Sequence, residues 1–311
     1  MDPISDINIK KDTSFAMLLE AQSRGYELYY MEMGDLYINN GQPRALAKSL
    51  KVMNNKQTWF EYTQEVDIHL SELNVLLMRK DPPFDSEFLY ATQMFELAEQ
   101  HGTLVVNKAQ SLRDFNEKLF TSWFPELIPD TLVTSNNKLI REFHAKHGTI
   151  ICKPLDGMGG TSIFKVNEDG NNLGVIIETL TELGTRYAMF QKFMPQIKDG
   201  DKRILIVDGE VIPFCLARLP AKNETRGNLA AGGTGRAQPL SETDFEIASK
   251  IAAKMSEKGL LFVGLDVIGD KVTEINITSP TCVQEIQNAF DINICATLFD
   301  AIEKRLGKSL H

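Results

Sequence analysis

The chain has 311 residues, of which 43% are hydrophobic and 24% charged, a composition typical of globular proteins with two or three domains. Its net charge of −9 argues against a general nucleic-acid-binding or anionic-membrane surface, although a local basic pocket for an anionic substrate stays open. No apolar run approaches the length of a membrane span, and the first residues resemble no signal peptide, so we expect neither nucleic acid nor membrane as a partner.

Residues 1–115 alternate between helical and strand-like patterns. Apolar spacing predicts helices over 14–24 and 88–100, and short apolar runs predict strands at 26–31, 73–78 and 103–106. This alternation predicts an α/β domain built on a small, mainly parallel sheet. Such a domain normally opens with a strand, whereas this chain starts at Met1-Asp2-Pro3 without an apolar run. We therefore expect the first strand of the sheet to be missing.

A charged segment follows the predicted strand 73–78. It contains Arg79, Lys80 and Asp81. Parallel sheets usually bind ligands beyond the carboxyl ends of their strands, so these side chains are candidate substrate contacts. The alternative is an ordinary solvated loop, and the position alone does not decide between the two.

The pattern changes near residue 116, where a second domain over 116–193 is predicted. It contains a predicted helix over 117–123 carrying Lys118, a strand at 131–134 and a helix over 138–146. His144 and His147 lie three residues apart near the end of the last helix. Because no third ligand is near in sequence, we interpret them as positive charge in a helix C-terminal turn and not as a metal site.

A glycine-rich segment lies between two apolar runs, 149–152 and 163–166. Residues 153–162 read KPLDGMGGTS, in which Lys153 precedes Gly157, Gly159 and Gly160. Glycines let backbone N–H groups turn toward an anion, and the lysine adds a positive charge, so the segment predicts a phosphate-binding loop. It matches neither the P-loop nor the dinucleotide-binding fingerprint. A glycine-rich β-hairpin with an exposed lysine remains the alternative for this segment alone.

The last predicted domain covers 194–311. An Asp208-Gly209 turn between apolar runs predicts a hairpin over 202–217, with Arg203 and Arg218 at its two ends. Residues 221–237 form a glycine-rich segment containing Arg226, which we interpret as either a flexible linker or a mobile lid over phosphates. A helix over 242–258, a hairpin of strands 262–268 and 271–277, and a final helix over 292–306 complete the chain.

Three oxygen-bearing side chains interrupt the apolar strands of that second hairpin: Asp266, Glu274 and Asn276. Carboxylate and amide oxygens are suitable ligands for magnesium. Glu274 and Asn276 share one face by strand alternation. A two-residue turn at 269–270 would turn Asp266 away from them, so their convergence requires an odd-length turn or a bulge, for which Gly269 is well suited.

Four widely spaced cysteines complete the inventory of reactive residues: Cys152, Cys215, Cys282 and Cys295. None forms a Cys-x-x-Cys pair, which argues against a zinc site or a disulfide framework. A reducing cytoplasm is the compartment that this usage predicts.

Taken together, these motifs resemble the ATP-grasp fold, and more narrowly the bacterial glutathione synthetases. The resemblance is carried by 153–160, by 191–194, by 226–233 and by Asp266 with 274–281. Two further segments, 78–85 and 107–114, resemble the N-terminal domain of that family, so the likeness extends over essentially the whole chain. It implies ATP-dependent ligation of glycine to γ-glutamylcysteine through an acyl phosphate, in a homotetramer. Magnesium is the implied cofactor, with manganese as an alternative.

The resemblance also implies a role for each candidate residue. Its implied ATP contacts are Lys118, Lys153, Gly157, Gly159, Gly160, Gln191, Lys192, Phe193, Met194 and Asp201, the last at the ribose. Asp266, Glu274 and Asn276 are the implied metal ligands. Arg203 and Arg218 are expected to neutralise the transferred phosphoryl group, and Arg226 to close the lid. Arg79, Lys80 and Asp81 are implied contacts to γ-glutamylcysteine, and Ser279 and Thr281 to glycine.

Two alternatives keep the same fold. One is a carboxylate–amine ligase that joins a different amino-acid pair, which the N-terminal segment and residues 279–281 would distinguish. The other is an ATP-binding module with little turnover. The retention of two lysines, three metal ligands and Arg203 with Arg218 argues against such a module, because it has no need to stabilise transferred phosphoryl charge. A dehydrogenase is disfavoured by the failed dinucleotide fingerprint.

Overall fold

The computed structural model describes residues 1–81, 83–222, 224, 226–227, 229 and 232–307. The N-terminal part begins with helix α1 (Thr13–Ser23), whose first turn is capped by Asp12 accepting from Phe15 N. Four strands follow: β1 (Leu28–Tyr30), β2 (Leu36–Asn39), β3 (Gln42–Val52) and β4 (Phe60–His69). All are antiparallel, with β3 paired to each of the other three.

The parallel part of this region is a separate two-stranded sheet. Strands β5 (Val75–Leu77) and β6 (Leu104–Val106) pair in parallel, and helix α2 (Ser86–Glu99) connects them. Helix α3 (Ala109–Asp114) follows. The predicted α/β class is confirmed, but the prediction of a mainly parallel sheet is correct only for this pair. The antiparallel strands between residues 36 and 69 are mostly amphipathic or polar, and no continuous apolar run marks them.

The middle of the chain forms a second layer. Strands β7 (Thr131–Thr134), β8 (Ile150–Pro154), β9 (Phe164–Val166) and β10 (Ala188–Lys192) form a sheet in the order β7-β10-β8-β9. Helices α4 (Asn137–His147) and α5 (Leu173–Thr181) cover it around a core of their own. The helix predicted over 117–123 is instead a 3₁₀ helix at Leu119–Trp123, with Lys118 just before it.

A five-stranded antiparallel sheet dominates the C-terminal part. Its order is β13-β12-β11-β14-β15. The strands are β11 (Asp201–Val207), β12 (Glu210–Leu219), β13 (Thr234–Pro239), β14 (Phe262–Ile268) and β15 (Lys271–Asn276). Helices α6 (Glu242–Glu257), α7 (Val283–Phe290) and α8 (Ile294–Arg305) complete it. The predicted helix over 292–306 corresponds to α8, and α7 was not predicted.

Part of the predicted glycine-rich loop 221–237 is not a loop, because β13 begins at Thr234 and pairs with β12. Other residues of that segment, Asn228 and Ala230 among them, lie outside the described residues, as does Pro82 of the segment 78–85.

Two large hydrophobic cores join the N-terminal part to the C-terminal sheet. One packs Phe88 and Phe120 in the same cluster as Ile204 and Ile275, and the other packs Met17 with Leu205 and Phe299. The sheet β7-β10-β8-β9 and its helices α4 and α5 contribute to neither of these two cores. Within the part of the chain that the structure describes, no helix has the length and apolarity to cross a bilayer.

Candidate active site

A cavity lies between the middle sheet and the C-terminal sheet, and the two sheets contribute opposite walls. Ile151 and Ile163 lie on the middle-layer side, and Ile268 and Thr273 on the other. All ten residues predicted to bind ATP line it together: Lys118, Lys153, Gly157, Gly159, Gly160, Gln191, Lys192, Phe193, Met194 and Asp201. Arg226, Asp266 and Glu274 line the same cavity.

Lys153 and Lys118 bring their ammonium groups to the same wall. Lys153 is buried on β8, and its Nζ donates to the Thr273 carbonyl at 3.1 Å. Burial lowers the pKa of Lys153 to about 8, with the lysine at 118 lowering it further and the nearby carboxylates, chiefly Glu274, opposing the shift. Lys118 pairs with the Glu274 carboxylate at 2.7 Å. Burial disfavours the charged form of Lys118, but this partner outweighs burial and raises its pKa.

The glycine-rich segment turns between β8 and β9 with left-handed backbone. Gly159 has φ +60° and Gly160 has φ +80°, which favours glycine at both positions. The carbonyl of Gly157 accepts from Lys118 Nζ, so the loop is tied to the lysine wall of the cavity. This arrangement supports the phosphate-loop interpretation over a plain hairpin.

The other end of the cavity is formed by the exit of β10. The Gln191 side chain is buried and donates to Thr131 Oγ1 at 3.0 Å. Backbone amides of Lys192 and Phe193 already donate to the carbonyls of Asp130 and Thr149, at 2.9 and 3.1 Å. These two N–H groups are therefore not free for a nucleotide base, so any contact of 191–194 with the base must use other atoms of the segment.

The hairpin β14–β15 carries the predicted metal ligands. Asp266 lies directly opposite Glu274, and Gly264 opposite Asn276. The ladder shifts by one residue between Asp266 and Val267, which confirms the predicted bulge. Its position was predicted wrongly, because Gly269 lies in the two-residue turn with φ +59° and not in the bulge. Without the shift, Asp266 would lie opposite residue 273.

Asp266 is held by two buried arginines from the neighbouring strands. Arg203 on β11 donates from Nε to Asp266 Oδ1 at 2.6 Å, and Arg218 on β12 approaches Oδ2 at 2.9 Å. Burial alone would raise the pKa of Asp266, but these two guanidinium groups hold it well below its usual range. Arg218 also pairs with Asp201 at 2.5 Å. Burial nevertheless raises the pKa of Asp201 to about 6.

The donor set fits a hard divalent cation. Among the described residues, Asp266 Oδ1 accepts a hydrogen bond only from Arg203, so it retains a lone pair for a cation. Glu274 and Asn276 add a carboxylate and an amide oxygen on the same face of the hairpin. No three His, Cys, Asp or Glu side chains gather into a metal cluster in the described part of the chain. The third oxygen donor of the predicted set is the side-chain amide of Asn276.

The predicted substrate residues are found near Arg203, at the ends of β5 and β15. Arg79 is buried and donates to Ser14 Oγ and to the Pro280 carbonyl. Its Nη1 is buried and has no hydrogen-bond partner among the described residues. Burial raises the pKa of the Asp81 carboxyl, and the nearby Arg79 and Ser279 oppose this shift. Arg203 donates to Thr281 at 3.4 Å. These contacts form a chain from the end of β5 to the arginine pair.

Lys80 does not line the cavity between the two sheets. Its ammonium pairs with Asp2 and donates to the Asp81 carbonyl at 3.0 Å, and it lines, together with Arg79, a second cavity beside β1 and β5. The two histidines of α4 are also separate from the site. His144 bonds the Asn167 carbonyl at 2.8 Å, and His147 lies 3.6 Å from Asp130.

Arg226 and Gly227 bring the described part of the glycine-rich segment 221–233 onto the cavity. Arg226 donates to the Gly160 carbonyl at 3.0 Å and pairs with Glu224 at 2.5 Å. The two glycine-rich segments thus meet at this arginine. Glu224 was not predicted as a site residue, and nothing in the pattern around it distinguishes it from a solvated glutamate.

One further residue was missed by sequence reasoning. Glu117 accepts hydrogen bonds from Ile277 N and Thr278 N at the end of β15, at 2.7 and 2.8 Å. Glu117 directly precedes Lys118, and this position next to a predicted site residue was the one feature of the sequence that could have identified it.

Comparison with known proteins agrees with the geometry. The family "Prokaryotic glutathione synthetase, ATP-grasp domain" matches residues 117–291, and its N-terminal domain matches residues 1–113. A glutathione synthetase of Yersinia pestis is 66% identical over 308 residues, covering 99% of this chain and 97% of the relative. A glutathione synthetase of Escherichia coli (strain K12) is 63% identical over 306 residues, covering 98% and 97%.

Solved structures with lower identity share the fold. The ATP-grasp ligase PsnB, complexed with a variant minimal precursor, Mg and ADP, gives a TM-score of 0.62 at 17% identity, covering 94% of both chains. The D-cycloserine synthetase DcsG gives 0.58 at 15% identity, covering 77% of this chain and 86% of that one. With both family domains matched and these identities over nearly its whole length, the chain belongs to the prokaryotic glutathione synthetase family.

Proposed function

We propose that this chain ligates glycine to the cysteinyl carboxylate of γ-glutamylcysteine, with ATP converted to ADP and phosphate. The observation that carries the proposal is the meeting of two lysines, a glycine-rich loop and the Asp266–Glu274 pair on one cavity, with Arg203 and Arg218 directly against Asp266. The relatives named above are glutathione synthetases, which supports this choice of substrates.

The reaction requires an activated carboxyl group. An amine that attacked the carboxylate itself would have to expel oxide, which is too poor a leaving group. A carboxylate oxygen first attacks the γ-phosphorus of ATP, which forms an acyl phosphate and releases ADP. The glycine amine then attacks the acyl carbon, an amide bond forms, phosphate leaves, and the amine loses a proton. Charge moves across several oxygens in both steps, so fixed cationic donors stabilise it.

The residues of the cavity divide this work. Lys118 and Lys153, with the backbone N–H groups of 157–160, bind the phosphates, while 191–194 surround the base and Asp201 bonds the ribose. Arg203 and Arg218 neutralise the acyl phosphate, and Arg226 holds the segment 221–233 over it so that water is excluded.

The remaining assignments concern the metal and the other substrates. Asp266, Glu274 and Asn276 hold magnesium, or manganese in its place. When bound, the ion supplies positive charge against the phosphates. Arg79 and Asp81 contact γ-glutamylcysteine, with Lys80 as a weaker candidate, and Ser279 and Thr281 contact glycine. The buried, unpartnered Nη1 of Arg79 supports an anionic group at that end.

The direct test is phosphate release with ATP and magnesium while γ-glutamylcysteine and glycine are omitted in turn. We expect rapid release only with both present, together with glutathione detected by mass. Asp266→Asn should lose the activity while still folding, since the amide keeps the shape of the carboxyl group. Full release without either amino-acid substrate, or with a different acid–amine pair only, would refute the assignment.

The acyl phosphate has its own test. γ-Glutamylcysteine carrying ¹⁸O in the cysteinyl carboxylate should pass one ¹⁸O to the released phosphate, because that oxygen bridges carbon and phosphorus in the intermediate. Phosphate free of the label would exclude it.

Assembly and compartment belong to the same proposal. We expect a homotetramer in the reducing cytoplasm, in line with the four free cysteines. Light scattering coupled to size-exclusion chromatography should give about four times the chain mass of 34.9 kDa.

A further inference from the structure

Residues 116–118 lie between α3 and the middle layer, and each of their side chains reaches a different element. Asn116 donates to the Leu155 carbonyl at 2.9 Å, next to the glycine-rich loop. Glu117 reaches the end of β15. Lys118 reaches Gly157 and Glu274. This tripeptide therefore touches both the phosphate loop and the metal hairpin.

Glu117 takes the place of a neighbouring strand for β15. In the C-terminal sheet β15 is an edge strand, paired only with β14. The backbone carbonyl of Glu117 accepts from Ile275 N at 2.9 Å, and its Oε1 accepts from Ile277 N at 2.7 Å. The same Oε1 accepts from Thr278 N and Thr278 Oγ1, at 2.8 and 2.9 Å. The N–H groups of Ile275, Ile277 and Thr278 are thus all satisfied by one residue.

These bonds alternate with the metal ligands. Glu117 holds residues 275 and 277, which alternate along the strand with Glu274 and Asn276, the residues opposite Asp266 and Gly264. Successive residues of a strand face opposite ways, so fixing the backbone at 275 and 277 fixes the direction of both ligand side chains. Loss of the Glu117 side chain frees residues 277 and 278 without touching any ligand, while the backbone bond to Ile275 N remains.

The ion pair between Lys118 and Glu274 is a less constant anchor than Glu117. In the proposed function Lys118 also binds phosphate and Glu274 also binds the cation, so both partners of their 2.7 Å contact acquire competing ligands. In that proposal Glu117 contacts neither the phosphates nor the cation. Its four hydrogen bonds can persist if the ion pair next to it opens.

We propose that Glu117 is a positioning residue for the metal–nucleotide site: it fixes the spacing between the phosphate-binding lysine at 118 and the metal ligands of β15. The inference rests on the proposed function for the roles of these ligands. It adds a residue that touches no substrate and acts through hydrogen bonds, so an uncharged acceptor should serve nearly as well as the carboxylate.

The test measures Mn²⁺ binding with the non-hydrolysable nucleotide AMP-PNP, by the loss of the free Mn²⁺ electron paramagnetic resonance signal. Glu117→Ala should weaken Mn²⁺ binding by about ten-fold or more, a typical loss for residues that orient metal ligands. Glu117→Gln keeps an acceptor oxygen and should stay within about three-fold of wild type. In steady state, Glu117→Ala should raise the KM for metal–ATP more than it lowers kcat.

A matched control is Asp244→Ala. Asp244 is a buried carboxylate of α6 that caps Ser241 and pairs with Lys202, outside the cavity. It should lose thermal stability comparably while Mn²⁺ affinity stays at the wild-type value. If Glu117→Ala does not fold, Glu117→Asp replaces it, because the shortened carboxylate should fall short of β15 and weaken Mn²⁺ binding by at least about three-fold.

Wild-type Mn²⁺ affinity in Glu117→Ala or Glu117→Asp would overturn the inference, as would an equal loss in Asp244→Ala. An equal loss in Glu117→Gln and Glu117→Ala would also overturn it, because charge and not hydrogen bonding would then matter. The measurement uses neither γ-glutamylcysteine nor glycine, so its result can still be interpreted if the proposed ligase activity is wrong. Absence of Mn²⁺–AMP-PNP binding in wild type would overturn both this inference and the proposed metal site.

Discussion

Lys153 is buried, and the phosphate-binding role proposed for it requires its positive charge. Burial lowers its pKa to about 8, while the facing groups include Glu274, Lys118, Asp201 and Asp266. Below pH 8 the free protein carries the charged lysine, and above pH 8 a proton must be taken up before phosphate binds. ATP affinity should therefore be flat near pH 7 and fall by up to about ten-fold per pH unit above pH 8.

Calorimetric titration with magnesium–AMP-PNP between pH 6.5 and 9.5 checks this dependence. The proton uptake should also appear as a heat that depends on the buffer at pH 9. Lys153→Arg remains charged throughout this range, so any affinity it retains should not vary with pH. A flat wild-type profile would show that the lysine does not titrate in this way.

Arg218 is a second residue at which the chemical type of the cationic group should affect the reaction rate. Its Nη2 lies 2.5 Å from Asp201 Oδ2 and 2.9 Å from Asp266 Oδ2, so one guanidinium spans two carboxylates. An ammonium group keeps the charge but loses the planar set of donors. Arg218→Lys should lower kcat by about 10²-fold, the usual effect of removing one preorganised donor from a developing charge.

Phosphate-release kinetics at saturating substrates measure that loss. The matched control is Arg305→Lys, a more exposed arginine paired with Asp208 away from the cavity, which should keep its activity. Equal kcat in the two variants would mean that Arg218 has a structural role only.

At the scale of elements, the hairpin β14–β15 shows what the sequence could predict. Strand alternation and turn length together required a bulge for Asp266 and Glu274 to meet, and the register shift is present. The position of the bulge could not be predicted. Glycine tolerates both a tight turn and a bulge, and sequence alone does not tell which one Gly269 occupies.

Other parts of the fold depended on contacts that are distant in sequence. Strand β4 is largely exposed, so it lacks the apolar run that marked β5 and β6. Glu117 binds residues about 160 positions later, and its sequence neighbourhood shows an ordinary charged residue. The glycine-rich turn between β8 and β9, by contrast, was predictable because its glycines are close together in the chain and flanked by two apolar runs.

The segment 221–233 provides a prediction at this scale. A Cβ added at Gly227 would lie 2.5 Å from the Arg218 carbonyl and 2.9 Å from Asp201 Cβ, distances too short for real contacts. Gly227→Ala should therefore displace the segment and release Arg226 from Gly160. We expect a lower kcat and a larger share of ATP hydrolysed without amide formation, since water then reaches the acyl phosphate.

The ratio of phosphate to glutathione measures this uncoupling. Gly34→Ala is the control, because its added Cβ meets nothing within 4 Å. An unchanged ratio in Gly227→Ala would contradict the proposed closing role of the segment.

At the scale of the whole molecule, the distribution of cores predicts unequal stability. The two large cores each combine N-terminal residues with the C-terminal sheet, whereas the middle layer packs around Ile140, Ile150 and Phe190 by itself. A unit with its own core can open while the remainder stays folded. Native-state hydrogen exchange should show β8 and β10 opening at a lower free energy than β11 and β14.

Magnesium–AMP-PNP should reduce that difference, because a ligand held between the two layers stabilises only the closed form. Identical exchange free energies for both sheets without nucleotide would show instead that the molecule opens as one unit.

The four cysteines are all buried, and burial raises the pKa of Cys152, Cys215 and Cys295 to about 12 and that of Cys282 in the same direction. Mixed disulfides form by attack of a thiolate on an accessible disulfide sulfur. A protein whose thiols stay protonated and covered offers glutathione disulfide little to react with. Oxidative stress, which converts part of the glutathione pool to its disulfide, would then leave the supply of fresh glutathione running when the cell needs it most.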